Sequence, residues 1–202
     1  MLIEINPINP QKRLIGQIAQ SLKKGAIISY PTDTFYGIGC DIMNKKAIER
    51  IYSLKKPAKN KPFSFICADL TDVSKYANIS NFAFSVLKKY LPGPYTFILE
   101  GSGIVPKIML TKRKTAGIRV PNNKICIDLV TALGNPILST TASTSNDTIL
   151  ENAYDIQTYF QNNIDIVIAG GEVPKEPSSV ISLLNDSLEI IREGLGEIEH
   201  FI

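Results

Sequence analysis

Short apolar runs of roughly five residues, several shut off by a proline or a glycine, alternate along this chain with stretches whose apolar residues recur at helical spacing. That alternation leaves few architectures open. Strands so short must share one sheet, and the helices between them must cover it. Residues 26–30 form such a run, stopped by Pro31, and residues 116–120 another, stopped by Pro121. Residues 2–5, 63–67, 95–99, 137–141 and 164–169 read the same way, and 180–184 with 188–192 predict a hairpin across Asn185, Asp186 and Ser187. The segment after Pro31, with Gly37 and Gly39, reads as a loop.

Leu14, Ile15, Ile18, Ala19 and Leu22 mark one apolar face over residues 10–24, with Asn9 as N-cap, Pro10 in the first turn and Gly25 at the C-cap. Further helices are predicted over 45–56, stopped by Pro57, and over 82–91, 125–133 and 154–161. The pattern predicts one α/β domain over 1–202 with about eight strands and five or six helices, the terminal hairpin making its open sheet mixed. No Gly-, Ser- or Pro-rich linker divides the chain, and no repeat is present.

Composition supports a buried core: 44% of residues are hydrophobic and 20% charged, which argues against disorder. No apolar run approaches the roughly 20 residues that span a bilayer, and the N-terminus lacks a basic and then apolar leader. Cys40, Cys67 and Cys126, odd in number and widely spaced, fit reduced core thiols, so a cytoplasmic protein is expected.

The net charge of +3 hides segregation. No acid lies between Glu49 and Asp69, where Arg50, Lys55, Lys56, Lys59 and Lys61 sit. None lies between Glu100 and Asp128, where Lys107, Lys112, Arg113, Lys114, Arg119 and Lys124 sit. From Thr148 onward ten acids face only Lys175 and Arg192. A basic middle suits a polyanionic ligand, and it equally suits a solvated surface.

Absences narrow the chemistry. His200 is the sole histidine, close to the C-terminus, which argues against His-dependent triads and His-containing zinc sites. Neither a P-loop nor a dinucleotide fingerprint occurs, so a phosphate site would be built from Lys, Arg, Ser, Thr and backbone N–H groups. Hydroxyls cluster where two strands end, at Thr32 and Thr34 and across residues 139–145. They are either walls of one cleft beyond the strand ends or turn and cap residues. Arg119 and Arg192 interrupt apolar strands, where a guanidinium needs a ligand or an ion-pair partner such as Asp33 or Glu193.

Residues 30–39 (Tyr-Pro-Thr-Asp-Thr-Phe-Tyr-Gly-Ile-Gly), 51–55 with Lys61-Pro62, 91–96 (Leu-Pro-Gly-Pro-Tyr-Thr), 117–121 (Gly-Ile-Arg-Val-Pro), 177–180 (Pro-Ser-Ser-Val) and 192–194 (Arg-Glu-Gly) together resemble the threonylcarbamoyl-AMP synthase family, the YrdC and YciO proteins. The motifs run in the family's order over nearly the whole chain. The resemblance implies a YrdC-like twisted α/β sheet with a basic concave cleft. It also implies a reaction of L-threonine, bicarbonate and Mg²⁺-bound ATP that yields threonylcarbamoyl-AMP and pyrophosphate. A separate transferase would then use the adenylate to modify a tRNA adenosine.

Carried over by motif, Thr34, Arg119, Ser139 and Ser178 would meet threonine. Lys55, Lys59, Lys61, Thr115, Thr141, Ser143 and Arg192 would meet the nucleotide and its phosphates. No covalent catalyst, redox cofactor, protein-held metal or membrane partner is implied. The chain departs from the family where Lys-x-Arg ends in Pro57 and where Ser-x-Asn is replaced by Thr141-Ala142-Ser143. These departures resemble the YciO branch, for which a double-stranded RNA- or tRNA-binding role with little synthase activity is the alternative. The chain ends eight residues after Gly194, so the additional C-terminal domain of the family's long form is not expected.

Overall fold

The computed structural model describes residues 1–55 and 63–201. The first strand, β1 (Leu2–Glu4), leads into α1 (Lys12–Lys23), which begins later than Asn9-Pro10 predicts. Asn6 takes the organising role instead, its Oδ1 accepting from the N–H groups of Ile8 and Asn9 and so turning the chain before the helix. Next come β2 (Ile28–Tyr30), β3 (Gly37–Asp41), α2 (Lys45–Lys55), β4 (Ser64–Ile66), α3 (Leu70–Tyr76), β5 (Ala77–Asn78), α4 (Asn81–Tyr90) and β6 (Tyr95–Gly101). The second half holds β7 (Thr115–Arg119), α5 (Lys124–Leu133), β8 (Ile137–Thr141), α6 (Ala153–Phe160), β9 (Ile166–Ala169), β10 (Ser179–Ser182) and β11 (Glu189–Arg192).

All the strands belong to one mixed sheet, ordered β1-β9-β2-β3-β8-β4-β7-β6-β10-β11, with β5 added beside β6. Antiparallel pairing is not confined to the terminal hairpin. Strand β3 runs antiparallel to both β2 and β8, β8 to β4, and β6 to β7. The segment read as a loop thus contains a central strand. Its glycines, poor strand formers in isolation, are required by close packing: a Cβ on Gly39 would lie 2.1 Å from the Leu138 carbonyl oxygen.

Helices cover the two faces unequally. Side chains of α2, α3, α4 and α6, including Ile48, Ile51, Val73, Leu87 and Ile156, pack on one face around Phe65, Phe97, Ile118 and Leu138. Helices α1 and α5 pack on the other over Ile28, Ile66, Ile137 and Ile166. Asn123 caps α5 by accepting from the Cys126 N–H, and Gly134 ends it at φ +79°. Each fully buried Ile or Leu on such a helix contributes about 1.5–3 kcal/mol. The three cysteines are free and buried, and burial pushes the Cys40 thiol up to about 12. No helix among the described residues is long and apolar enough to cross a membrane.

Candidate functional site

The face under α1 and α5 changes character along its central strands. Ile137 pairs with Ile66, and Ile66 with Arg119. Two residues along, the paired row reads Gly39, Ser139, Ser64, Gly117, Ile98 and Ser182. Because residues paired across strands share a face, isoleucines under the helices give way to a low strip of glycine and serine. The strip admits little bulk: a Cβ on Gly117 would stand 3.1 Å from Thr96 Cγ2, and one on Gly37 would stand 3.3 Å from both Tyr30 OH and Ser139 Oγ. Ser139 is buried in this strip, and burial holds the neighbouring Tyr30 phenol well above its ordinary pKa.

At the end of the strip nearest α5, four predicted residues come together. Arg119 closes β7, 8% exposed, with Nη2 donating to Asp33 Oδ1 at 2.6 Å and to Thr34 Oγ1 at 3.1 Å. The second Asp33 oxygen accepts from the Asn122 N–H at 2.9 Å, so this carboxylate ties the loop after β2 to the turn after β7. Thr34 is braced from behind, its N–H donating to Thr32 Oγ1, which lies 3.0 Å from its own hydroxyl. Ser178, just before β10, shares a 2.8 Å hydrogen bond with Thr96. Arg192, at the end of β11, donates from Nε and Nη2 to the Ser178 carbonyl at 3.1 and 2.7 Å.

The two guanidiniums differ in their compensation. Arg119 has the ion pair with Asp33 that the sequence left open. Arg192 makes no ion pair with Glu193 or with any other described residue, and desolvation, helped by the nearby Arg119, lowers its pKa. Arg119 Nε is buried without a hydrogen-bond partner among the described residues. A buried N–H left unpaired costs about 1–3 kcal/mol, so this atom favours an incoming acceptor. Two guanidiniums with the hydroxyls of Thr34 and Ser178 make a site suited to an anion.

A second group of predicted residues lies toward the other end of the strip. The Lys55 ammonium, on the last residue of α2, donates to the Thr141 carbonyl at 2.9 Å, the Ser143 carbonyl at 3.1 Å and Ser143 Oγ at 2.6 Å. Desolvation lowers its pKa to about 8, against a smaller opposing effect of Asp147. Strands β8 and β7 run in opposite senses across β4, so Thr141 and Thr115 both lie away from Arg119. Thr115 stands about 13 Å along β7 from Arg119, at 3.3 Å per residue. Its hydroxyl is held by Thr111 Oγ1 at 2.7 Å. Lys59, Lys61 and Pro57 lie outside the described residues. Cavities of about 580 Å³, beside Asn122 and Lys124, and about 720 Å³, beside Tyr36 and Glu151, contain none of the predicted residues.

Sequence reasoning did not assign Thr96 or Ser64 to this region, and it left Thr32 open between cleft wall and turn residue; its hydroxyl braces Thr34. The signal for Thr96 and Ser64 was alternation: each falls on the strip's side of a short strand whose other side is apolar. Among the described residues no three His, Cys, Asp or Glu side chains form a metal-holding group.

A family model described as Sua5_yciO_yrdC, Telomere recombination, matches residues 20–194. The chain belongs to this family. It is 40% identical over 200 residues to the uncharacterized protein YciO of Escherichia coli, covering 98% of this chain and 97% of that protein. The crystal structure of E. coli YciO superposes with a TM-score of 0.94 over 100% of this chain and 99% of that one. A threonylcarbamoyl-AMP synthase of Vibrio vulnificus is 28% identical over 159 residues, 77% of this chain and 86% of that protein. P. abyssi Sua5 complexed with L-threonine superposes with a TM-score of 0.91 at 26% identity, covering 100% of this chain and 61% of that chain.

Proposed function

We propose that this protein makes L-threonylcarbamoyl-AMP from L-threonine, bicarbonate and ATP, for threonylcarbamoyl modification of tRNA adenosine by a separate transferase. The observation that carries this reading is the buried, unpartnered Nε of Arg119, whose Nη2 bonds the Thr34 hydroxyl, near an Arg192 that bonds the Ser178 hydroxyl, in a family and fold shared with a Sua5 complexed with L-threonine. In this reading Arg119 holds the amino-acid carboxylate together with Arg192, which the motif gives to the nucleotide but whose bonds to Ser178 favour the amino acid, and the threonine nitrogen condenses with bicarbonate to a carbamate with loss of water. A carbamate oxygen then attacks the α-phosphorus of ATP, forming the acyl-phosphate bond as the bond to pyrophosphate breaks.

The protein's contribution is to hold two anions in attack geometry and offset their charge, with no covalent protein intermediate. Lys55 and the Ser143 hydroxyl beside it would meet the nucleotide, and Lys59, Lys61, Thr115 and Thr141 are assigned to it by motif. No described group of side chains suits a resident metal, so Mg²⁺ would arrive on the phosphates of ATP. Incubating folded protein with MgATP, labelled bicarbonate and threonine tests the reading: an adenylate above the no-enzyme control is expected, and its absence refutes synthase activity.

One observation favours a second reading, binding of duplex RNA or tRNA. Lys112, Arg113 and Lys114 are exposed together on the acid-free turn before β7, apart from the Arg119 cluster. Shape-based contact with RNA phosphates would weaken steeply with salt. Duplex RNA titrated at two salt concentrations should show that slope, and binding indifferent to salt would refute it.

A further inference from the structure

Both Asp33 oxygens are committed to protein donors, one to Arg119 Nη2 and one to the Asn122 N–H, and the side chain is 9% exposed. It therefore adds a fixed negative charge to the cluster without turning to meet a ligand. Two guanidiniums and one carboxylate sum to 2 − 1 = +1. A single carboxylate group balances that sum. A phosphate dianion overshoots it and is pressed against a buried carboxylate, where repulsion is felt more strongly than in water. The same contact aims Arg119: with Nη2 held by Asp33 and Thr34, the donors left over are Nη1 and the buried Nε.

We propose that Asp33 is the specificity-determining residue of this subsite: it orients Arg119 and sets the local charge so that a monocarboxylate is accepted and a phosphate dianion is turned away. The proposal rests on reading the cluster as a carboxylate site. In an enzyme that must hold an amino acid beside a polyphosphate, such selection keeps the phosphates out of the amino-acid position.

The test is calorimetric titration of the wild type, Asp33→Asn and Asp33→Ser with L-threonine and with inorganic phosphate, at one low salt concentration and pH 8. In the variants phosphate binding should tighten about tenfold while threonine binding becomes no tighter. A tightening of threefold or more in either folded variant supports the proposal, and anything smaller overturns it. A wild type that fails to bind threonine overturns the carboxylate reading, and the phosphate titrations then still decide the role of Asp33. If neither variant folds by circular dichroism, Asp33 is a structural residue and the proposal falls.

Discussion

Lys55 offers a prediction whose sign is fixed by linkage. Its folded pKa of about 8 lies below the ordinary 10.5 because burial penalises the ammonium. Below pH 8 both folded and unfolded chains carry the proton, and the full desolvation cost opposes folding. Between pH 8 and 10.5 the unfolded chain holds more protons, so stability rises with pH across that window. The shift would be worth roughly 3 kcal/mol at 1.36 kcal/mol per pKa unit. The side chain is only partly buried, so water screens the penalty, and the oxygens of Thr141 and Ser143 favour the ammonium. A net effect of about 1–2 kcal/mol is therefore expected.

Lys55→Met removes this titration and leaves every other group in place. Urea unfolding of both proteins should show the wild type gaining about 1–2 kcal/mol on the variant between pH 7.5 and 10.5. Equal pH slopes, or a Lys55 resonance titrating above pH 10 in a ¹³C-lysine NMR experiment, would refute the reasoning. If Lys55 meets the nucleotide as proposed, phosphate binding there should weaken as pH passes 8.

Arg119→Lys should weaken threonine binding by about 1.5–3 kcal/mol in calorimetry, with ATP affinity nearly unchanged, because an ammonium cannot serve Asp33 and a carboxylate as a fork does. A folded variant that binds threonine normally would remove Arg119 as the anchor. Gly39→Ala drives a methyl into the Leu138 carbonyl and should cost about 1–3 kcal/mol or more in a urea titration, so an unchanged midpoint would contradict the packing of β3 on β8. Asn123→Ala removes the α5 cap and should lower stability by about 1 kcal/mol without altering threonine affinity, which calorimetry on the same sample would check.

The helices were legible in the sequence because α1, α2, α4 and α5 each carry a repeating apolar stripe that burial confirms at Ile18, Ile48, Leu87 and Leu129. Strand β3 was not legible, since its glycines carry no local preference for a strand and are selected by the carbonyl and ring beside them. The short α3 and two-residue β5 gave too few residues for a period to show. The Arg119 cluster was partly readable: a guanidinium in an apolar strand demands compensation, and Asp33 was one of two acids in view. That Arg192 would lean on a backbone carbonyl instead of Glu193 depends on the register of β10 with β11, which local sequence does not encode.

The hydrogen bonds that build the cluster join distant parts of the chain. Asp33 and Arg119 are 86 residues apart, and Thr96 and Ser178 are 82 apart. Ser178 and Arg192 flank the last hairpin, whose β10 must dock in parallel on β6 before they reach the other residues. During synthesis, therefore, the binding site comes into being only when the C-terminal strands have emerged and paired, after most of the core is in place. Contacts spanning such separations are slow to form because the loop must close before they contribute. A ligand that recognises only the closed cluster stabilises the complete fold over every partial one, by about 2.7 kcal/mol at a hundredfold excess over its Kd. On the proposed function, threonine would then act on the newborn chain as a fastener for its final hairpin before it serves as a substrate.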